Sequence, residues 1–171
     1  MSMESLIKKL QNIMRGDDLS GTVQYLKQMI WMIFLKIYDA QEEKWELLED
    51  NYTSVIPEEL KWRNWAVDNN DGKALTGDEL IKFVNDELII GLKKLEVNEY
   101  TPKRHLIVWQ MFQDASNFMK NGTKLRQMIN ELNEKDFTNS TETHEFGDMY
   151  ESMLKDLQES KRDGGEFYTP R

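Results

Sequence analysis

The sequence has no cysteine among its 171 residues. That excludes a disulfide scaffold, a thiolate metal site and a cysteine nucleophile, and it fits a cytoplasmic protein. Proline occurs three times and glycine nine times, so little interrupts regular backbone structure. The two histidines, His105 and His144, stand in no spacing that would gather the three or four ligands zinc needs, and no metal site is expected. A surface position or a helix-end hydrogen bond is the reading for both. Long apolar runs are missing too. The most apolar stretch, residues 29–35, is far short of the about 20 residues a membrane helix requires, and the first ten residues lack the apolar core and cleavage site of a signal peptide. No membrane contact is expected. Positive charge is in deficit, with 22 Lys and Arg against 31 Asp and Glu and a net charge of -9. A surface that coats nucleic acid all over is thereby excluded, while a local basic patch is not.

What is present points to helices. Five Trp, six Tyr and seven Phe are too many for a disordered acidic chain, and the length suits one domain that buries roughly 70% of its unfolded surface. Leu6, Ile7, Leu10, Ile13 and Met14 repeat at the three-four spacing of an amphipathic helix, which Gly16 should end in the left-handed conformation. Ser20 or Thr22 can cap a second helix that runs to about Leu48. Its middle, Met29-Ile30-Trp31-Met32-Ile33-Phe34-Leu35, is apolar on all sides, so other helices must surround it. Its end, Glu42-Glu43-Lys44-Trp45-Glu46, turns polar and should emerge into water. Pro57 can open a short helix before Trp62 and Trp65. Further helices start at Thr76 or Gly77, at Pro102, and at Thr123 as a cap, and a last one should carry Phe146, Met149, Tyr150, Met153, Leu154 and Leu157. Sustained period-two alternation is absent. The expectation is an all-α, compact multi-helix domain with a long central helix and no significant sheet.

Few residues read as chemistry. The loop Asp68-Asn69-Asn70-Asp71-Gly72 resembles a calcium loop, but neither register puts a carboxylate first and glycine sixth, so a solvated turn is expected. The pairs Asp78-Glu79 and Asp86-Glu87 are adjacent on a helix and point apart. No Gly-x-Ser-x-Gly or Walker loop occurs. Charge is uneven, however. Residues 39–59 hold eight acids and one lysine, and residues 131–159 hold nine acids and two lysines. Between them, residues 93–126 hold seven bases (Lys93, Lys94, Lys103, Arg104, Lys120, Lys124 and Arg126) and three acids. With Tyr100, Trp109 and Phe118 nearby, these bases are the candidate contacts to DNA phosphates, although Trp109 lies in an apolar run and belongs to the expected core. The last segment, Gly164-Gly165-Glu166-Phe167-Tyr168-Thr169-Pro170-Arg171, combines a freed backbone with two aromatics and a stiffening proline. Such a segment can close over a flat ligand, and as an isolated tail it buries nothing.

Three stretches carry a family resemblance. Asp163-Gly164-Gly165-Glu166-Phe167-Tyr168-Thr169-Pro170-Arg171 resembles the segment that opens the catalytic domain of type I restriction-modification methyltransferase (M) subunits. Met14-Arg15-Gly16, followed by Phe34-Leu35-Lys36, is similar to that family's N-terminal signature, and Phe146-Gly147-Asp148-Met149-Tyr150-Glu151 to its Tyr-Glu helix, with Phe146 standing for leucine. The match touches both ends of the chain. The middle, from about Glu49 to Asn139, fits only in being helical with scattered Trp.

The resemblance implies a helical N-terminal domain over 1–162 and the start of a linker or catalytic methyltransferase domain over 163–171. The whole enzyme would methylate adenine N6 in DNA with S-adenosylmethionine, after flipping the base from the duplex. Phe167, Tyr168, Thr169 and Pro170 would line the cofactor pocket of the intact protein. The glycine-rich cofactor loop and the Asn-Pro-Pro-aromatic motif are missing, since Pro57, Pro102 and Pro170 are isolated. The expectation is therefore a piece that ends at a domain boundary, holds no cofactor and is not catalytic by itself. The implied partners are double-stranded DNA, a specificity subunit, a second methyltransferase subunit and a restriction subunit. A stand-alone all-helical protein-protein adaptor fits the composition equally well.

Overall fold

The apolar run at 29–35 decides the architecture. In the computed structural model, which describes residues 2–69, 72, 74–137 and 144, it lies in a 28-residue helix that is roughly 42 Å long at the usual rise. The elements are α1 (Met3–Arg15), α2 (Gly21–Leu48), α3 (Trp62–Trp65) after a 3-10 turn at Glu58–Leu60, α4 (Gly77–Phe83), α5 (Ile89–Lys93), α6 (Lys103–Gln113) and α7 (Gly122–Glu134). Among the described residues no strand occurs. The all-α expectation with a long central helix holds. Met29, Trp31, Met32, Ile33 and Leu35 are buried, with Phe34 packed against them half-buried. Each fully buried large apolar side chain contributes roughly 1.5–3 kcal/mol, and that is what fixes α2 among its neighbours. No helix among the described residues is long and apolar enough to cross a membrane.

The remaining helices cover α2 from several sides. α1 packs on α7 and α2, α4 on α7, and α5 on α6. Leu80, Val84, Leu88 and Leu92 are all fully buried, at a spacing of four that would drift around an ideal α-helix. Between α4 and α5 the residues Val84–Leu88 form a π turn. Its wider turn takes up that drift and keeps the four side chains facing the core. The N-termini of α4 and α7 meet at two glycines. A Cβ on Gly122 would lie 1.8 Å from the Gly77 carbonyl oxygen, so only glycine allows this approach.

Four local expectations are corrected. Gly16 does not take the left-handed conformation. It stays right-handed at φ -66, and Asp18 two residues later turns the chain at φ +65. The cap of α7 is Asn121 rather than Thr123, its side chain accepting from the Lys124 amide. Trp109 is only half-buried, because α6 meets the core through His105, Val108 and Phe112. The end of α2 does not simply emerge into water: Glu42 is fully buried, while Leu47 and Leu48 are 88% and 82% exposed.

The loop before α7 is held by two polar residues. Gln28, fully buried on α2, accepts from the Phe118 amide at 2.6 Å and donates to Asn117 Oδ1 at 3.1 Å. Asp17 Oδ2 accepts from the amides of Lys120 and Asn121 at 2.6 and 2.8 Å. Backbone groups that would otherwise be unpaired near the core are thereby satisfied, and Lys120 is fixed beside the end of α1. The Gly72 amide donates to Asp68 Oδ2 at 2.6 Å, with Gly72 at φ +87.

Candidate nucleic-acid interface

The seven bases of the 93–126 segment do not form one patch. Lys93 and Lys94 close α5, and the Lys93 carbonyl accepts from Gln113 at the far end of α6. Lys103 and Arg104 open α6, so about ten residues of helix, roughly 15 Å, separate the two pairs. Lys120 and Lys124 lie beside the turn after α1, with the Lys124 Nζ 3.1 Å from where a Cβ on Gly16 would be. Arg126 is used inside the fold. Its Nε donates to the Leu75 carbonyl at 2.8 Å and its Nη1 to the Ala66 carbonyl at 2.7 Å, and burial lowers its pKa from the ordinary arginine value. Lys94, Lys103 and Lys120 are exposed, and Lys93 and Lys124 are half-buried.

The richest arrangement lies where α6 begins against the end of α2. Arg104 donates from Nη1 and Nη2 to the two carboxylate oxygens of Glu49 at 2.5 and 2.7 Å. Its guanidinium carbon lies 4.6 Å from the centre of the Trp45 ring and 5.3 Å from that of Tyr52. A planar fork on a carboxylate, stacked on aromatic faces, is the geometry arginine favours and lysine cannot reproduce. The hydrogen bond to Glu49 raises the Arg104 pKa, and the same bond lowers that of Glu49. The side chains remain 35% and 40% exposed, so the pair is open to competing anions.

Beneath it the aromatic groups form a continuous platform. Trp45 meets Tyr38, Tyr52 and His105 at ring distances of 5.7, 5.9 and 6.2 Å. His105 is buried rather than superficial, and its Nδ1 is 3.2 Å from the Tyr38 hydroxyl. Burial, with Arg104 adding to it, lowers the His105 pKa. Glu42 Oε2 accepts from the hydroxyls of Tyr52 and Ser54 at 2.6 and 2.5 Å. Tyr38 and Tyr52 both have raised pKa values, chiefly from burial. On the adjoining face Arg63 bonds Asp39 at 2.8 Å and Glu46 at 2.9 Å, and Lys61 bonds Glu58 at 2.6 Å.

Sequence reasoning selected Arg104 but missed Glu49, Trp45 and Tyr52, because their contacts to it span about fifty residues of chain. The one available signal was the stretch Trp45 to Tyr52 directly following the apolar run, which brings aromatics to the rim of the core. Phe167, Tyr168, Thr169 and Pro170, the candidate cofactor contacts, lie outside the described residues. So do the last expected helix and both sides of the 162/163 boundary. Among the described residues no two glycines are adjacent and no glycine-rich loop occurs.

Comparison with known proteins agrees with this architecture. The HsdM N-terminal domain model matches residues 3–132, and the N-6 DNA Methylase model matches residues 141–171. The chain is 52% identical, over its whole length, to the type I restriction enzyme EcoEI methylase subunit of Escherichia coli, of which it covers 34%. It is 24% identical over 86% of its length to the StySPI methylase subunit of Salmonella potsdam, covering 24% of that protein. The chain thus spans about a third or less of these relatives. A modification subunit of a putative type I restriction enzyme from Vibrio vulnificus superposes with a TM-score of 0.75 at 30% identity, over 98% of this chain and 37% of that one. A second structure, from work on complex assembly and conformational transition of the type I R-M system, gives a TM-score of 0.73 at 32% identity, over 99% of this chain and 33% of that one. With a family match that takes in the described helices from α1 into α7, this chain belongs to the HsdM N-terminal domain family.

Proposed function

We propose that this chain serves as the N-terminal helical part of a type I restriction-modification methylase subunit, where it contacts DNA phosphates and helps assemble the complex. The observation that carries the reading is the 52% identity to the EcoEI methylase subunit along the whole chain. In this reading the complete subunit is a cytoplasmic, S-adenosylmethionine-dependent adenine-N6 methyltransferase. Its partners are a specificity subunit, a second methyltransferase subunit, a restriction subunit and double-stranded DNA. Phe167, Tyr168, Thr169 and Pro170 contribute to the cofactor pocket, which the catalytic domain completes. The methylase-family match over 141–171 supports such a domain and speaks against the stand-alone adaptor. A reading frame that continues into an Asn-Pro-Pro-aromatic motif is the outcome expected; a natural stop at Arg171 would favour the adaptor.

The DNA role falls to the bases whose charge faces solvent: Lys94, Lys103 and Lys120 first, then Lys93, Lys124 and Arg104. Arg126 has its fork committed to two backbone carbonyls. Phosphate contacts fix orientation and carry no base information. Changing Lys103 and Arg104 together to alanine in the assembled methylase should therefore weaken binding to all sequences alike. It should also reduce the salt slope by about 1 for each phosphate no longer neutralised. Unchanged affinity with an unchanged slope removes this end of α6 from the DNA interface.

A further inference from the structure

We propose that Glu49 is a built-in stand-in for a DNA phosphate: its carboxylate occupies the guanidinium of Arg104 until a phosphate displaces it. The inference rests on the DNA-contact reading above and adds a regulation to it. Arg104 presents two N–H groups to two oxygens in a planar fork, and a phosphodiester offers the same pair of acceptor oxygens in much the same geometry. The guanidinium is also held from below by Trp45 and Tyr52. It therefore keeps its position when the anion in front of it changes, because cation–π stacking does not depend on which anion is bound.

Two features make the exchange possible. The pair is partly open to water on both sides, and exposed ion pairs contribute little, so a phosphate within a highly charged backbone competes well. Glu49 is the capping residue after the last turn of α2, in extended backbone, so its side chain can swing aside without breaking the helix. Lys103, adjacent and exposed, supplies a second cation to the incoming backbone. The neighbouring carboxylates are committed elsewhere: Glu46 to Arg63 and Lys61, and Glu42 to Tyr52 and Ser54. Glu49 is thus the carboxylate in this cluster bonded to Arg104, and DNA that engages Arg104 must release it. One consequence is that the closed pair lowers affinity for any duplex that engages Arg104, by the fraction of molecules in which the guanidinium is free.

The test uses the full-length assembled methylase and a non-specific duplex, with Glu49→Gln as the variant. Glutamine keeps the size of the side chain and removes the anion. Affinity should rise by about two- to fivefold, the range an exposed pair can withhold. Asp50→Asn, which removes a nearby charge that does not touch Arg104, should produce less than half that gain. In an Arg104→Ala background the Glu49→Gln gain should disappear, since its target is gone. A gain that persists without Arg104, or an equal gain from Asp50→Asn, would overturn the proposal in favour of general charge repulsion. No gain from Glu49→Gln would overturn it as well, as would a change in subunit association alone. If Lys103→Ala weakens binding while Arg104→Ala does not, the stand-in fails and the DNA reading survives. If neither variant changes affinity, this end of α6 lies outside the DNA interface, and its reading as a DNA contact fails together with the stand-in.

Discussion

Residues 29–35 of α2 meet their neighbours through carbon and sulfur, whereas residues 38–48 of the same helix, with Glu49 that caps it, meet theirs through carboxylates, phenols and a guanidinium. The first stretch places five fully or nearly fully buried side chains in the core. The second buries Glu42 and Tyr38, half-buries Trp45, and ties Asp39, Glu46 and Glu49 to two arginines. Apolar packing has no direction and responds little to pH or to a competing ion. Hydrogen-bonded ions are directional, exchangeable and sensitive to both. One helix is thus anchored at its middle and adjustable at its end, and the adjustable end is where the candidate DNA contact lies.

The largest effect should come from breaking the anchored stretch. Leu35→Ala removes a fully buried side chain and should cost about 2–5 kcal/mol. Denaturant unfolding of the chain measures it, and the cost should be nearly the same at pH 6 and pH 8. A loss under about 1 kcal/mol would mean that this position can collapse around the missing atoms.

A smaller effect is expected from the polar stretch. Glu42→Ala leaves the Tyr52 and Ser54 hydroxyls without their acceptor and should cost about 1–3 kcal/mol. Glu42→Gln retains an acceptor and should recover most of that loss in the same unfolding experiment. If glutamine proves as damaging as alanine, the negative charge rather than the hydrogen bonds is what this site needs.

The smallest effect concerns pH. His105 has its pKa lowered from 6.5, by burial first and Arg104 second, with Glu42 and Glu49 opposing. A base whose folded pKa lies below its unfolded value stays neutral in the fold while the unfolded chain takes up the proton. Stability is therefore fully present above pH 6.5 and falls as the pH drops from there toward the folded pKa. Unfolding followed between pH 7 and pH 5 should show this slope in the wild type. His105→Gln, which keeps a partner for the Tyr38 hydroxyl, should flatten it. Equal slopes in the two proteins would assign the acid sensitivity to other groups. Below about pH 4.5 a separate loss sets in, because Glu46, Glu49 and Glu58 have lowered pKa values from their bonds to Arg63, Arg104 and Lys61.

The local chain determined a good deal by itself. The apolar run at 29–35 required a surrounded helix, and the three-four spacing of Leu6, Ile7, Leu10 and Met14 placed α1 on the core, because these signals arise from residues a turn apart. Pro57, Thr76 and Pro102 marked starts that the helices use within a residue or so. Tertiary structure decided the rest. A basic segment continuous in sequence was divided among the end of α5, the start of α6 and the turn after α1, with Arg126 drawn onto the Ala66 and Leu75 carbonyls. Glu42, a charged residue expected in water, was buried because Tyr52 and Ser54 return to donate to it. The partner of Arg104 is 55 residues away at Glu49. Contacts of that kind depend on how whole helices pack, which no local pattern of residues encodes, and that is why the helices were legible and the geometry of the site was not.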